Sequence, residues 1–359
     1  MKRWDVIIIG GGVIGLSLAW GLRRRGALVL VVEKGALGRQ ASWAAGGMLA
    51  WCDPHLPAPA RWLARLSQSL YGEFVEGVEA ASGCDVDLRR FGTILLDEAL
   101  PGDFREGCRV FDATELCQLE PQLKPSSNGH SPSIQFWPEW SLDPRGLMTA
   151  LIALCKTQGV DVVTGSAVSR VAVTAGRTVG VETLNEQFPA HAVVNCAGAW
   201  SGHIACGVNI SPSPTRPVKG HMLALKPSRE VLQHVVRAPD VYLIPRSDGR
   251  IVVGATLEEA GFDTEVHPET IERLRSAAVR IVPELASASI METWAGLRPG
   301  SPDGLPILGE TALPGYFVAS GHFRDGILLA PGTASVMSSL VLGNSVDEGL
   351  SALSPKRFA

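Results

Sequence analysis

The chain has 359 residues, 46% apolar and 19% charged, with 32 Lys and Arg against 36 Asp and Glu for a formal net charge of −4. That length exceeds one ordinary core and allows two lobes, which the apolar fraction can fill. The charge balance leaves no basic surplus for nucleic acid and no charged tail. The seven cysteines, at 52, 84, 108, 117, 155, 196 and 206, form no C-x-x-C pair. Such a scattered, odd-numbered set suggests reduced thiols in a cytoplasmic protein.

Lys2-Arg3 before an apolar run resembles a signal peptide or membrane span. However, Gly10-Gly11-Gly12 break the run, Arg23-Arg24-Arg25 end it, and no A-x-A-like site follows. A strand, glycine turn, helix and second strand account for every residue. Residues 5–9 read as a buried strand, 29–32 as another, and Glu33 stands at its end. Gly10, Gly12 and Gly15 fit G-x-G-x-x-G, with Glu33 where the ribose-binding acid of a dinucleotide fold belongs. Gly10 allows the tight turn, Gly12 lets backbone approach a pyrophosphate, and Gly15 lets the helix pack on the strand. The helix N-terminus then offers N–H groups and a positive dipole end to phosphates. The arginines suit a helix C-terminus, with Gly26 as the stop.

Helical spacing over 61–81 ends at Gly83, and 93–96 reads as a short strand. Asp112 and Glu115 are spaced for a capping box. Asp143-Pro144 starts a helix that runs through Leu154 to a stop at Gly159. Strands are expected at 160–163, 167–173 and 178–183. Residues 192–200 form a buried strand running into a small-residue turn around Gly198, open to close approach. Several strands follow between 216 and 254, then a helix from Pro268 to near Pro283. A strand leads to Arg298, the turn-rich 299–306 follows, a last strand lies near Phe317, and a helix over 325–342 closes the chain. The pattern predicts an α/β protein in which a doubly wound cofactor lobe receives an inserted, sheet-rich α+β lobe.

Four segments go beyond a generic dinucleotide signal. They are Ala41-Ser42-Trp43-Ala44-Ala45-Gly46-Gly47-Met48-Leu49, 195–200, Gly296-Leu-Arg298-Pro-Gly, and 321–331 beginning Gly-His-Phe-Arg-Asp-Gly-Ile. Together they resemble the FAD-dependent D-amino acid oxidase superfamily, and within it the glycine oxidases associated with thiamine biosynthesis. The resemblance covers essentially the whole chain. It implies FAD, in agreement with small-residue segments recurring at four distant places, as if several loops converge on one long ligand. It implies a Rossmann-like FAD-binding domain from residues 1–80, 145–212 and 296–359. The inserted antiparallel-sheet substrate domain would comprise 81–144 and 213–295.

By the same resemblance, Gly10, Gly12, Val13, Ile14, Gly15, Glu33, Lys34, Ala41, Ser42 and Gly198 contact the cofactor. Gly46, Gly47 and Met48 lie along the flavin, and Val168 flanks the adenine. The loop and helix start His322, Phe323, Arg324, Asp325, Gly326, Ile327 and Leu328 place N–H groups at the flavin's carbonyl edge. Arg298 maps onto the substrate-carboxylate arginine, Tyr242 onto a tyrosine donating to that carboxylate, and Arg324 onto a second active-site arginine. Met48 lines the pocket. Lys219 lies in a strand facing the flavin but receives no chemistry. His221, Gln40 and Trp51 stand where relatives more often have Gln, Glu and Pro, so the pocket wall is expected to differ there.

The implied reaction is oxidative deamination of a small amino acid by hydride transfer to flavin N5, with oxygen reoxidising the flavin to give hydrogen peroxide. A sarcosine or D-amino acid oxidase, a dehydrogenase using a carrier in place of oxygen, and a non-catalytic flavoprotein remain alternatives. The eight histidines show no metal spacing, and no G-x-S-x-G accompanies them. Neither a metal nor stable membrane association is expected, and family analogy implies a homo-oligomer.

Overall fold

The computed structural model describes residues 2–97, 107–124, 133–207 and 213–358. Strand Trp4–Ile9 pairs in parallel with Val29–Val32 on one side and Gln187–Asn195 on the other. Both of its faces are covered, which is why Val6-Ile7-Ile8-Ile9 is continuously apolar. Asp161–Val163 extends the sheet beyond Val29–Val32, and Tyr316–Ser320 extends it beyond Gln187–Asn195, again in parallel. Val6, Ile8, Val29 and Val31 face helices Val13–Arg23, Arg61–Ser82, Pro144–Thr157 and Gly326–Val341. The alternate residues Ile7, Ile9, Leu30 and Val32 pack with Val168, Val171 and Val181 of an antiparallel hairpin formed by Val168–Thr174 and Arg177–Thr183.

The second sheet runs in the order Ser289–Gly300, Arg216–Lys226, Ile251–Gly254, Val241–Pro245, Val235–Ala238, Thr93–Asp97, Ser133–Trp137, Arg109–Phe111. It is antiparallel except where Val235–Ala238 meets Thr93–Asp97. One face packs on helix Pro268–Ile281. The other presents Met222, Ile244 and Val252, with Tyr242 beside them.

The local signals act as their chemistry requires. Asp112 accepts from the N–H of Thr114 and Glu115 while Glu115 reaches back to the Asp112 N–H. Asp143 caps Pro144–Thr157 through the Arg145 N–H. Gly83 ends Arg61–Ser82 at φ +70°, donating to the Glu79 carbonyl. Several strands lie outside the expected set, among them Arg109–Phe111, Ser133–Trp137 and Ile307–Glu310. Ile307–Glu310 pairs antiparallel with Tyr316–Ser320, where only a single strand near Phe317 was expected after the turn-rich stretch. Four residues hemmed by Pro306 and Thr311 are too short to carry a period, and cross-strand pairing supplies what propensity does not. The expected division at 296 falls inside Ser289–Gly300, a strand of the second sheet, and that at 212 lies outside the described residues.

Candidate active site

The two sheets face each other across a cavity of about 910 Å³, within the range of ligand sites in proteins. At one end the turn after the first strand forms its floor. Gly10 has φ +105°, and a Cβ there would lie 2.5 Å from the Cys196 carbonyl oxygen. A Cβ on Gly15 would meet the Gly10 oxygen at 2.0 Å, so this glycine holds the helix against the turn. Gly15 itself does not line the cavity, whereas Gly10, Gly12, Val13 and Ile14 do. Ser42 Oγ accepts the Val13 N–H at 2.9 Å and ties segment 41–49 to the helix start. Glu33 is buried, and its carboxylate accepts from the Gly11 N–H at 2.8 Å and the Gly35 N–H at 2.9 Å. A carboxylate has about four acceptor positions, so capacity remains for hydroxyls. Lys34 Nζ lies 3.1 Å from the centroid of the Trp200 ring, and desolvation holds its pKa below the usual lysine value. Val168 and Gly198 complete this end.

Ala41, Ser42, Gly46, Gly47 and Met48 run along the cavity wall. Gly47 has φ +80°, and a Cβ there would clash with the Leu142 carbonyl at 2.1 Å. Trp294 Nε1 donates to the Ala44 carbonyl at 3.0 Å and Arg246 Nη2 to the Gly46 carbonyl at 2.5 Å, so the second sheet holds this backbone in place. His322, Phe323, Arg324, Asp325, Gly326 and Ile327, at the N-terminus of helix Gly326–Val341, line the same cavity. His322 is buried, 3.0 Å from Thr333 Oγ1, and burial pushes its pKa down to about 3, so its ring is neutral. The Leu328 side chain points into the helix-side core and does not line the cavity, so only its backbone is left to face the cofactor.

Arg298 and Tyr242 meet at the other end. Arg298 lies on Ser289–Gly300 opposite Val218, and its guanidinium passes over Gly220, where a Cβ would come within 2.2 Å of Nη1. Its Nη1 donates to the carbonyls of Thr256 at 3.1 Å and Lys219 at 3.4 Å. The Tyr242 hydroxyl is bonded to Arg298 and lies 3.2 Å from Met222 Sδ. Burial raises the pKa of Tyr242, with Arg298 opposing, so the phenol remains a neutral donor. Tyr242 also lies over Gly46, where a Cβ would come 3.5 Å from its oxygen. Anion-binding groups therefore adjoin the backbone along which a flat ring would lie.

Several residues of this site went unnoticed in the sequence. Gly220 and Gly254 make room for Arg298 and Tyr242, and adjacency to those side chains was the missing signal. Arg237 lines the cavity, bonded to Asp53 at 2.6 Å and 3.7 Å from Glu139. Burial raises Glu139 to about 7, against the opposing field of Arg237, and raises Asp325 to about 6. The expectation for His221 and Trp51 is corrected. His221 lies on the strand face turned away from the cavity, Trp51 packs edge-on against Trp140, and of the three departures Gln40 alone lines the cavity.

A cavity lined by a glycine turn suited to phosphate, a buried acid with acceptor capacity left for hydroxyls and the glycine backbone of segment 41–49 fits FAD. The family described as FAD dependent oxidoreductase matches residues 5–340, and the chain belongs to that family. The glycine oxidase of Pseudomonas putida is 34% identical over 349 residues, covering 94% of each chain. The bifunctional protein ThiO/ThiG of Synechocystis sp. is 34% identical over 367 residues, covering 99% of this chain and 54% of that protein. The crystal structure of glycine oxidase from Geobacillus kaustophilus superposes with a TM-score of 0.93 at 30% identity, covering 99% of each chain. The chain is accordingly an FAD-dependent oxidoreductase. No described helix is long and apolar enough to cross a membrane, and no group of three or more His, Cys, Asp or Glu among the described residues is placed to hold a metal.

Proposed function

We propose that the chain oxidises glycine or another small amino acid to the oxo acid and ammonia, with oxygen as electron acceptor. Bound FAD would take the α-hydrogen as hydride at N5 and pass the electron pair to oxygen, giving hydrogen peroxide. Arg298 holds the substrate carboxylate in its planar fork, and the Tyr242 hydroxyl donates to the same group. Together they set the α-carbon over the 46–47 backbone side of the cavity, so that orientation is the protein's main contribution. Arg324 and Met48 bound the same space. The released imino acid is hydrolysed in water. The single observation carrying this reading is the Arg298–Tyr242 pair, packed over two glycines beside the Gly46 backbone.

In this reading 1–80, 145–212 and 296–359 serve the cofactor and 81–144 with 213–295 the substrate. A cytoplasmic location and a homo-oligomer belong to the same proposal, the latter to be read by light scattering. The chemistry is tested by oxygen uptake with glycine, sarcosine and small D-amino acids, coupled to peroxide and ammonia assays. Glycine should give equal peroxide and ammonia. Ammonia formed with an artificial acceptor but not with oxygen would make the chain a dehydrogenase.

A further inference from the structure

Lys219 and His221 are both wholly buried, yet neither lines the cavity. Alternation along Arg216–Lys226 turns Gly220 and Met222 to the cavity and these two to the opposite face. They are buried beneath segment 255–267, which joins strand Ile251–Gly254 to helix Pro268–Ile281. Lys219 and Glu258 exchange both backbone hydrogen bonds, at 2.9 and 3.0 Å. The Lys219 ammonium pairs with Asp263 and lies 3.3 Å from His267 Nε2. His221 Nε2 accepts the His267 backbone N–H at 3.2 Å, which puts the ring proton on Nδ1. That nitrogen faces Glu258 Oε1 at 3.1 Å and Thr256 Oγ1 at 3.2 Å.

The inner edge of the fastened segment belongs to the site. The Thr256 carbonyl receives Arg298 Nη1, and Leu257 lines the cavity. Phe262 crosses to Trp200 and His203, with ring centroids 5.2 and 5.1 Å apart. Both of those residues line the cavity from the first sheet's side.

We propose that Lys219 and His221 are positioning residues for Arg298. By fastening 255–267 against strand Arg216–Lys226 they fix the Thr256 carbonyl relative to the Lys219 carbonyl, the two acceptors that hold Nη1, and so set the plane of the guanidinium fork for a substrate carboxylate. This rests on Arg298 being the carboxylate-binding residue. A guanidinium binds carboxylate well only in a fixed planar geometry, so a loosened fork loses ground-state binding before it loses chemistry.

The test uses the FAD-loaded protein with acetate as a non-reducing probe, read by perturbation of the flavin spectrum, together with glycine kinetics. Lys219→Met and His221→Leu should each weaken acetate binding and raise KM by about tenfold, with kcat and FAD affinity nearly unchanged. His221→Gln, which can still accept from the His267 N–H and donate to Glu258, should recover most of the loss. In an Arg298→Ala background His221→Leu should add nothing, because the two act through one group. Acetate affinity lost in Arg298→Ala but kept in both Lys219→Met and His221→Leu would overturn this inference alone. Acetate affinity unchanged in Arg298→Ala would overturn the proposed function and this inference with it. Should His221→Leu fail to fold, Lys219→Met carries the same readout.

Discussion

At the scale of single residues, the site depends on side chains whose room is made by glycine. Arg298→Ala should raise KM for glycine by about two orders of magnitude while FAD stays bound, since a charge-assisted carboxylate partner is lost. Gly220→Ala should reproduce part of that loss with Arg298 still present, because its Cβ would occupy the guanidinium's place. Steady-state kinetics of the two variants check both. Arg298 and Tyr242 were singled out in the sequence by the family resemblance, each on an otherwise apolar strand. Gly220 and Gly254 were not, since their need arises only from a neighbour across the sheet. The Asp53–Arg237–Glu139 cluster was hidden for the same reason, its members coming from distant parts of the chain. Glu139 also carries a pH prediction. Folding raises its pKa from near 4.5 to about 7, and its Oε2 has no hydrogen-bond partner. The folded state therefore binds a proton that the unfolded chain has released. Its contribution is complete below about pH 4.5 and is lost as pH rises through about 7. Glu139→Gln should consequently gain stability relative to the parent protein between pH 5 and 8 in thermal melts. A difference that stays flat with pH would contradict this.

At the scale of elements, helix Gly326–Val341 shows how a local rule is broken and repaired. Pro331 lies inside it and has no N–H for the Ile327 carbonyl one turn back. The buried Tyr71 hydroxyl donates to that carbonyl at 2.5 Å, and Ser67 Oγ accepts the Gly332 N–H at 3.1 Å. Helix Arg61–Ser82 thus supplies both partners and braces the turn that opens onto the cavity. Tyr71→Phe should cost about 1–3 kcal/mol by leaving a buried carbonyl unpaired. Adding Pro331→Ala restores an amide donor, so the double variant should recover much of that loss in denaturant unfolding. The helix and its start were legible from the apolar run after Gly326. The role of Tyr71 was not, because a tyrosine at helical spacing reads as core.

At the scale of the whole molecule, the glycine turn and the parallel strands around it predicted the first sheet, and the extended stretches between 216 and 254 predicted the second. Their order and pairing were not legible, because Thr93–Asp97 joins Val235–Ala238 through contacts that no local pattern encodes. Nor was the way segment 255–267 reaches from one sheet to the other. Since the cavity draws on both sheets, FAD should stabilise the molecule as one unit, by about 2.7 kcal/mol at a hundredfold excess over its Kd, which a shift in melting temperature would report. In the proposed reaction bound FAD accepts electrons from a small amino acid held by Arg298. The most direct measurement is the visible flavin spectrum of the loaded protein, recorded without oxygen as glycine is added to the parent chain and to Arg298→Ala. Bleaching is expected in both, with a half-saturating glycine concentration about a hundredfold higher in the variant. A flavin that glycine, sarcosine and small D-amino acids all leave oxidised, or equal half-saturation in the two proteins, would contradict it.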